Sequence, residues 1–179
     1  MVEMAIVLGV VGLVMGGVWT LAVKVQQTAR VQQAVEQVIA VNKNIRSYYQ
    51  SQPCIPTGNQ TAVLTGLPGQ NIFPREMLNG GGVVDLWNGG VQVLGVDGAC
   101  GYLFQLSFLA LPGATCAELV PKLTASSEAS RGLVAASING TPLQALPPNP
   151  AAIIGAGAGQ CNAAATAAVT LNYKLRVSD

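Results

Sequence analysis

The sequence predicts an α+β protein, with a long N-terminal helix packed on a C-terminal antiparallel β-sheet domain held by disulfides. Three observations lead there. The first fifty residues hold an apolar run and then an apolar three- and four-residue period, with no Pro before Pro53. The last segment alternates apolar and polar residues with a period of two. Between them lie turn dipeptides and four widely spaced cysteines, Cys54, Cys100, Cys116 and Cys161. The boundary falls after residue 51, giving a long helix over 1–51 and a globular head over 52–179.

The helix comes first. Met4 to Val23 is a stretch of twenty residues without a charge. At about 1.5 Å per residue it matches the roughly 30 Å hydrocarbon core of a bilayer. Trp19 and Lys24 suit the boundary with water. The chain starts Met1-Val2-Glu3, with an acid and no Lys or Arg, so the stretch does not read as an ordinary secretory signal peptide. A carboxylate at the edge of a spanning segment needs water or a partner. Glu3 is therefore either solvated at headgroup level or awaiting a positive group on a neighbouring copy. Beyond Lys24, Val31, Val35, Val38, Val41 (or Asn42), Ile45, Tyr48 and Tyr49 form an apolar stripe. Gln32, Gln33, Glu36, Gln37, Lys43 and Arg46 occupy much of the opposite face. One helix of roughly 75 Å accounts for both halves. Gly9, Gly12, Gly16 and Gly17 interrupt the apolar half, and Gly12 and Gly16 form a G-x-x-x-G that lets helices approach closely. The pair Gly16-Gly17 costs about 1 kcal/mol per Gly against Ala, so the helix is weakest there.

Residues 51–90 are rich in turn formers and read as a long connection, with one short helical turn near Pro74–Leu78. Strands follow at Val91–Leu94 and Tyr102–Leu109, flanking the hairpin dipeptide Asp97-Gly98. Thr115-Cys116-Ala117-Glu118 has the form of a capping box, predicting a short helix that Pro121 kinks or ends. Leu133–Ile138 reads as a strand followed by an Asn139-Gly140 turn, and Pro147–Gly159 as an irregular loop. The last strand carries Val169, Leu171, Tyr173, Leu175 and Val177 on its apolar face, which would rest on the one-sided half of the helix.

Composition narrows the function. Half of the residues are hydrophobic and only 9% are charged, well below the quarter usual for soluble domains. A net charge of +1 gives no basic excess for nucleic acid. With no His, the Ser-His-Asp and Cys-His mechanisms and His-ligated zinc are excluded. No phosphate loop, dinucleotide fingerprint, nucleophile elbow or carboxylate pair stands out, so neither an enzyme nor a cofactor is expected. Asn59-Gln60-Thr61 and Asn139-Gly140-Thr141 fit the glycosylation pattern but are better read as turn chemistry. The four cysteines read as two disulfides made in an oxidising compartment. Three pairings are possible. Cys54–Cys100 with Cys116–Cys161 is favoured because each closes a contiguous loop without nesting.

The stretch Met1-Val2-Glu3-Met4 followed by Ala5-Ile6-Val7-Leu8-Gly9 resembles the N-terminus of type IV pilins. In that family a glutamate heads a long apolar helix that continues as an amphipathic helix on a globular domain. Two further residues normally precede this stretch, so the resemblance implies that the mature chain starts just upstream of Met1 or was trimmed. Asn88-Gly89-Gly90-Val91 after Trp87, Leu111-Pro112 leading to Cys116, and Ile138-Asn139-Gly140 resemble the type IVb branch of conjugative thin pili and adherence pili. The resemblance implies a subunit held in the bacterial inner membrane, released from its leader by a prepilin peptidase and methylated. The pilus assembly machinery would then build it into an extracellular homo-oligomeric filament. Glu3, Gly12, Gly16 and Gly17 would be the assembly residues. Two other readings stay open: a type II secretion pseudopilin, and a single-pass anchor for an extracytoplasmic binding domain.

Overall fold

The computed structural model describes residues 2–67, 71–127, 129–149, 153–155, 157, 159–162 and 165–176. Its backbone falls into two compact units, Met1–Gln33 and Ala34–Asp179. Helix α1 (Val2–Tyr49) runs through the junction without a break. With neither Pro nor Gly in its second half, and with Gln, Ala and Arg set among its valines, that half holds no strong helix breaker. Its end is closed by a turn in which the Gln52 N–H donates to the Tyr49 carbonyl at 3.1 Å.

The second unit is an antiparallel sheet with short helices. Its strands are β1 (Ile55–Asn59), β2 (Leu78–Asn79), β3 (Gly82–Val83), β4 (Val91–Gly101), β5 (Leu103–Pro112), β6 (Leu133–Ile138), β7 (Thr141–Pro142) and β8 (Thr166–Lys174). Helices α2 (Thr61–Thr65) and α3 (Gly113–Ala125) lie between them. Among the described residues, one sheet runs β1-β4-β5-β8-β6-β7, and β2 and β3 make a separate ribbon. The C-terminal strand β8 thus sits inside the sheet, between β5 and β6, and the head closes only once the whole chain is in place.

Register explains the core. Val91, Val93, Phe104, Leu106, Phe108, Ala136, Ile138, Val169, Leu171 and Tyr173 are buried, and their strand pairings put them on one face. Phe104 and Tyr173, opposite each other, stack with ring centroids 5.4 Å apart. The last turns of α1 pack on this face through Ala34, Val38, Val41, Ile45 and Tyr49, all buried. The reverse face is polar. There Gln105 donates to Ser107 Oγ at 3.0 Å, and the Ser107 and Thr170 hydroxyls lie 3.4 Å apart.

Several expectations need correction. The stripe on α1 uses Ala34 where the sequence suggested Val35, and Val35 is half-buried. Gln37 and Arg46 are not on a solvated face: Gln37 is buried with its Nε2 3.3 Å from Glu76 Oε2, and Arg46 Nη2 donates to the Arg131 carbonyl. Residues 51–90 are more regular than a loop. They form β1, α2, a 3₁₀ turn at Arg75–Met77 and the β2–β3 ribbon, whose Gly80 and Gly81 adopt positive φ. Helix α3 begins two residues before Thr115, which is buried, and its N-cap, Pro112, makes no side-chain bond, so the capping box is not used. Nor does Pro121 end α3. The helix runs on to Ala125 because Leu119, Val120 and Leu123 are all fully buried, which outweighs the lost backbone bond. Strand β8 starts at Thr166 and ends at Lys174, and Val177 lies outside the described residues. The Asn139-Gly140 turn is as expected. Both residues have positive φ, Ile138 pairs with Thr141, and the Asn139 side chain accepts from the Ala168 N–H at 2.9 Å.

Candidate assembly site

Helix α1 shows a sharp change in burial along its length. Among the described side chains from Val7 to Arg30, none is buried, and Val7, Val11, Leu13, Met15 and Val25 are exposed. Leu13 is 80% exposed and Met15 71%. Isolated exposed apolar residues are ordinary, but Val7, Val11, Leu13 and Met15 all lie in Met4–Val23, which carries no charge, and apolar surfaces of that kind mark sites that bind lipid or protein. Burying one such side chain is worth about 1.5–3 kcal/mol. Burial begins at Val31 and recurs at Ala34, Val38, Val41, Ile45 and Tyr49.

Of the residues singled out for assembly, Gly12 lies on this exposed stretch, and a Cβ built there would meet nothing within 4 Å. The isolated chain therefore has no steric need for glycine at this position, although Gly costs about 1 kcal/mol in a helix interior. The backbone at Glu3, Gly16 and Gly17 is helical, and their surroundings lie outside the described residues. The same holds for most side chains of Met4–Val23. Among the described residues, no helix is long and apolar enough to cross a membrane.

The head is braced near its C-terminus. Cys116 on α3 and Cys161 before β8 form a disulfide with Cα atoms 5.6 Å apart, closing a 45-residue separation. In the chain-entropy account a loop of that size is worth about 4 kcal/mol. The loop it closes carries β6 and β7, and it fastens the start of α3 to the approach to β8. Beside it, a Cβ added to Gly113 would fall 1.6 Å from the Asn162 carbonyl oxygen, so only glycine fits that crossing. Cys54 is also disulfide-bonded. The side chain of Cys100, its expected partner, lies outside the described residues, and the backbone of Cys100 stands opposite Pro56, two residues beyond Cys54.

Polar groups inside the head are few and mostly structural. Asp85 is buried, and its Oδ1 accepts from the Trp87 and Gly89 N–H groups, each at 2.8 Å. Burial raises its pKa above the usual value, with the two N–H bonds opposing. Burial likewise raises the Tyr173 pKa above its usual value, partly offset by the Arg46 charge. Burial lowers the pKa of Arg46. Asn59, the first sequon residue, accepts from the Thr61 N–H at 2.9 Å, which is the local turn chemistry expected of it. Among the described residues, no group of three or more His, Cys, Asp or Glu could hold a metal ion.

No protein-family model matches the sequence, and neither does any curated protein sequence. Among solved structures, the crystal structure of a type IVb pilin from Salmonella typhi matches with a TM-score of 0.58 at 13% identity. The match covers 80% of this chain and 99% of that one. The long N-terminal helix, the antiparallel sheet that its second half packs on, and the Cys116–Cys161 disulfide together make the pilin fold.

Proposed function

We propose that this chain is the major structural subunit of a type IVb-like pilus, used for conjugation or adherence, and that it polymerises rather than catalyses. The observation that carries this reading is the uncharged stretch of α1 from Met4 to Val23, on which no described side chain is buried. Before assembly the bilayer would cover it, and residues 1–51 would serve as anchor. After removal of a leader by a prepilin peptidase, the assembly machinery would transfer it among identical helices, leaving residues 52–179 as the outward head. Gly12, with Gly16 and Gly17, would allow neighbouring helices to approach closely. Glu3 would set the axial register, since an unpaired carboxylate inside the bundle costs several kcal/mol. The second disulfide is proposed as Cys54–Cys100, which would tie β1 to the end of β4.

A type II pseudopilin would share the helix. The Cys116–Cys161 brace near the C-terminus favours a pilin, because many major pseudopilins place a calcium site there. A single-pass anchor would explain the apolar run but not a helix that continues unbroken to Tyr49. The test is electron microscopy of material sheared from producing cells. Wild type should yield fibres built of this chain, and Glu3→Ala should yield none while the subunit stays in the membrane fraction. Normal fibres from Glu3→Ala would remove the register role, and no fibres from wild type would remove the polymer.

A further inference from the structure

Where α1 ends, an open cleft of about 560 Å³ lies between its last turns and the segment at residues 71–72. Its polar lining comes from Asn44, Ser47, Tyr48, Ser51, Gln52 and Asn71, with Ile72 adding an apolar patch. None of these carries a charge. From this geometry we propose that the cleft is a binding site for a neutral saccharide, such as the terminal sugars of a cell-surface glycan.

Three features argue for that chemistry. First, the size falls in the range of small-ligand sites, and the lining is hydroxyl and carboxamide rather than apolar, which disfavours a lipid or a hydrophobic peptide. Second, the described lining residues offer an anion no cation, and the carbonyl end of a helix repels negative charge, whereas sugar hydroxyls can donate to it. Carboxamides and hydroxyls both donate and accept, as vicinal sugar hydroxyls require. Third, the site is held in shape before any ligand arrives. The half-buried Tyr48 ring is braced edge-on by Tyr49, with centroids 4.9 Å apart at 81°. Tyr49 is itself buried, and its hydroxyl lies 3.4 Å from Gln60 Oε1. Asn44 donates both Nδ2 hydrogens, to the Asn71 carbonyl at 2.9 Å and the Ile72 carbonyl at 3.1 Å, leaving its Oδ1 as an acceptor. The backbone of Gln52 is fixed by its bond to Tyr49. A fixed aromatic ring offers the apolar face of a sugar a platform at little entropic cost.

The test uses the full chain dispersed in a sugar-free zwitterionic detergent, so that failure to bind and failure to polymerise are read separately. Lactose, diacetylchitobiose and mannobiose are offered as probes, with citrate and spermidine as charged controls, and saturation-transfer NMR as the readout. At least one disaccharide should show transfer and the charged controls none. Tyr48→Ala and Gln52→Ala should each weaken binding about tenfold, equivalent to about 1.4 kcal/mol. Val134→Ser, on β6 and outside the cleft lining, should bind as wild type. Gln52→Ala keeps the test sound if Tyr48→Ala fails to fold. Absence of transfer from every disaccharide, stronger binding of a charged control, or unchanged binding in both alanine variants would overturn the proposal. So would Tyr48 protected from hydroxyl radicals in fibres by a dispersed chain that binds no saccharide, which would give the cleft to a neighbouring copy.

Discussion

The two units of this molecule are finished to different degrees. In Ala34–Asp179 the apolar side chains on the inner faces of α1, β4, β5, β6 and β8 are buried, and the Cys116–Cys161 disulfide fastens α3 to the approach to β8. In Met1–Gln33 the described side chains up to Arg30 are all at least partly exposed, including Leu13 and Met15. One unit is complete as a single chain. In the other, Val31 is the first described side chain to be buried, and the apolar residues described before it face outward. On the proposed function, stability and assembly are written in separate stretches, so substitutions in one should leave the other largely intact.

The largest effect should come from charging the unfinished unit. Leu13→Glu puts a carboxylate on the most exposed apolar position described and should abolish fibres altogether. The melting of the head should shift by no more than about 0.5 kcal/mol, the scale of ordinary surface changes. A large loss of head stability in Leu13→Glu would break the separation. Next comes the brace. The double variant Cys116→Ser, Cys161→Ser should lose about 4 kcal/mol in denaturant unfolding of the head. Gly113→Ala should follow at about 1–3 kcal/mol, since its Cβ has no room beside Asn162.

The smallest effect is pH-dependent. The folded-state pKa of Asp85 is raised by burial, so stability is greatest below its unfolded value and falls as pH rises through the raised folded value. Asp85→Asn keeps an acceptor for the Trp87 and Gly89 N–H groups and removes the charge. Unfolding titrations should show this variant gaining on wild type at neutral pH and losing that gain on acidification below the usual aspartate range. An equal difference at all pH values would mean that the charge is not the cause.

Much of this division was legible in residues. The apolar run before Lys24 and the stripe that starts at Val31 mark the same change that burial shows, because the helical period decides which residues share a face. The alternation of Val169, Leu171 and Tyr173 and the Asn139-Gly140 turn were equally readable, since both depend on local geometry. What failed to show depends on distant partners. Gln37 and Arg46 look like solvated polar residues until Glu76 and the Arg131 carbonyl come to meet them. Likewise, Pro121 reads as a helix terminator because propensity carries no information about the buried Leu119, Val120 and Leu123 around it. The β1, α2 and β2–β3 elements were hidden among turn residues, which are too short a context to reveal that β1 pairs with β4 and β2 with β3. The cleft beside Tyr48 had no sequence signal at all, because its lining comes from two segments brought together by the fold.

The claim beneath all of this is that the N-terminal half of α1 is stable in water only among copies of itself. The direct measurement is sedimentation and electron microscopy of the purified full-length chain as detergent is withdrawn. The account predicts conversion from small detergent complexes to sedimenting fibres, with the head still folded by circular dichroism. A dispersed monomer that persists in detergent-free buffer with a folded head would contradict it.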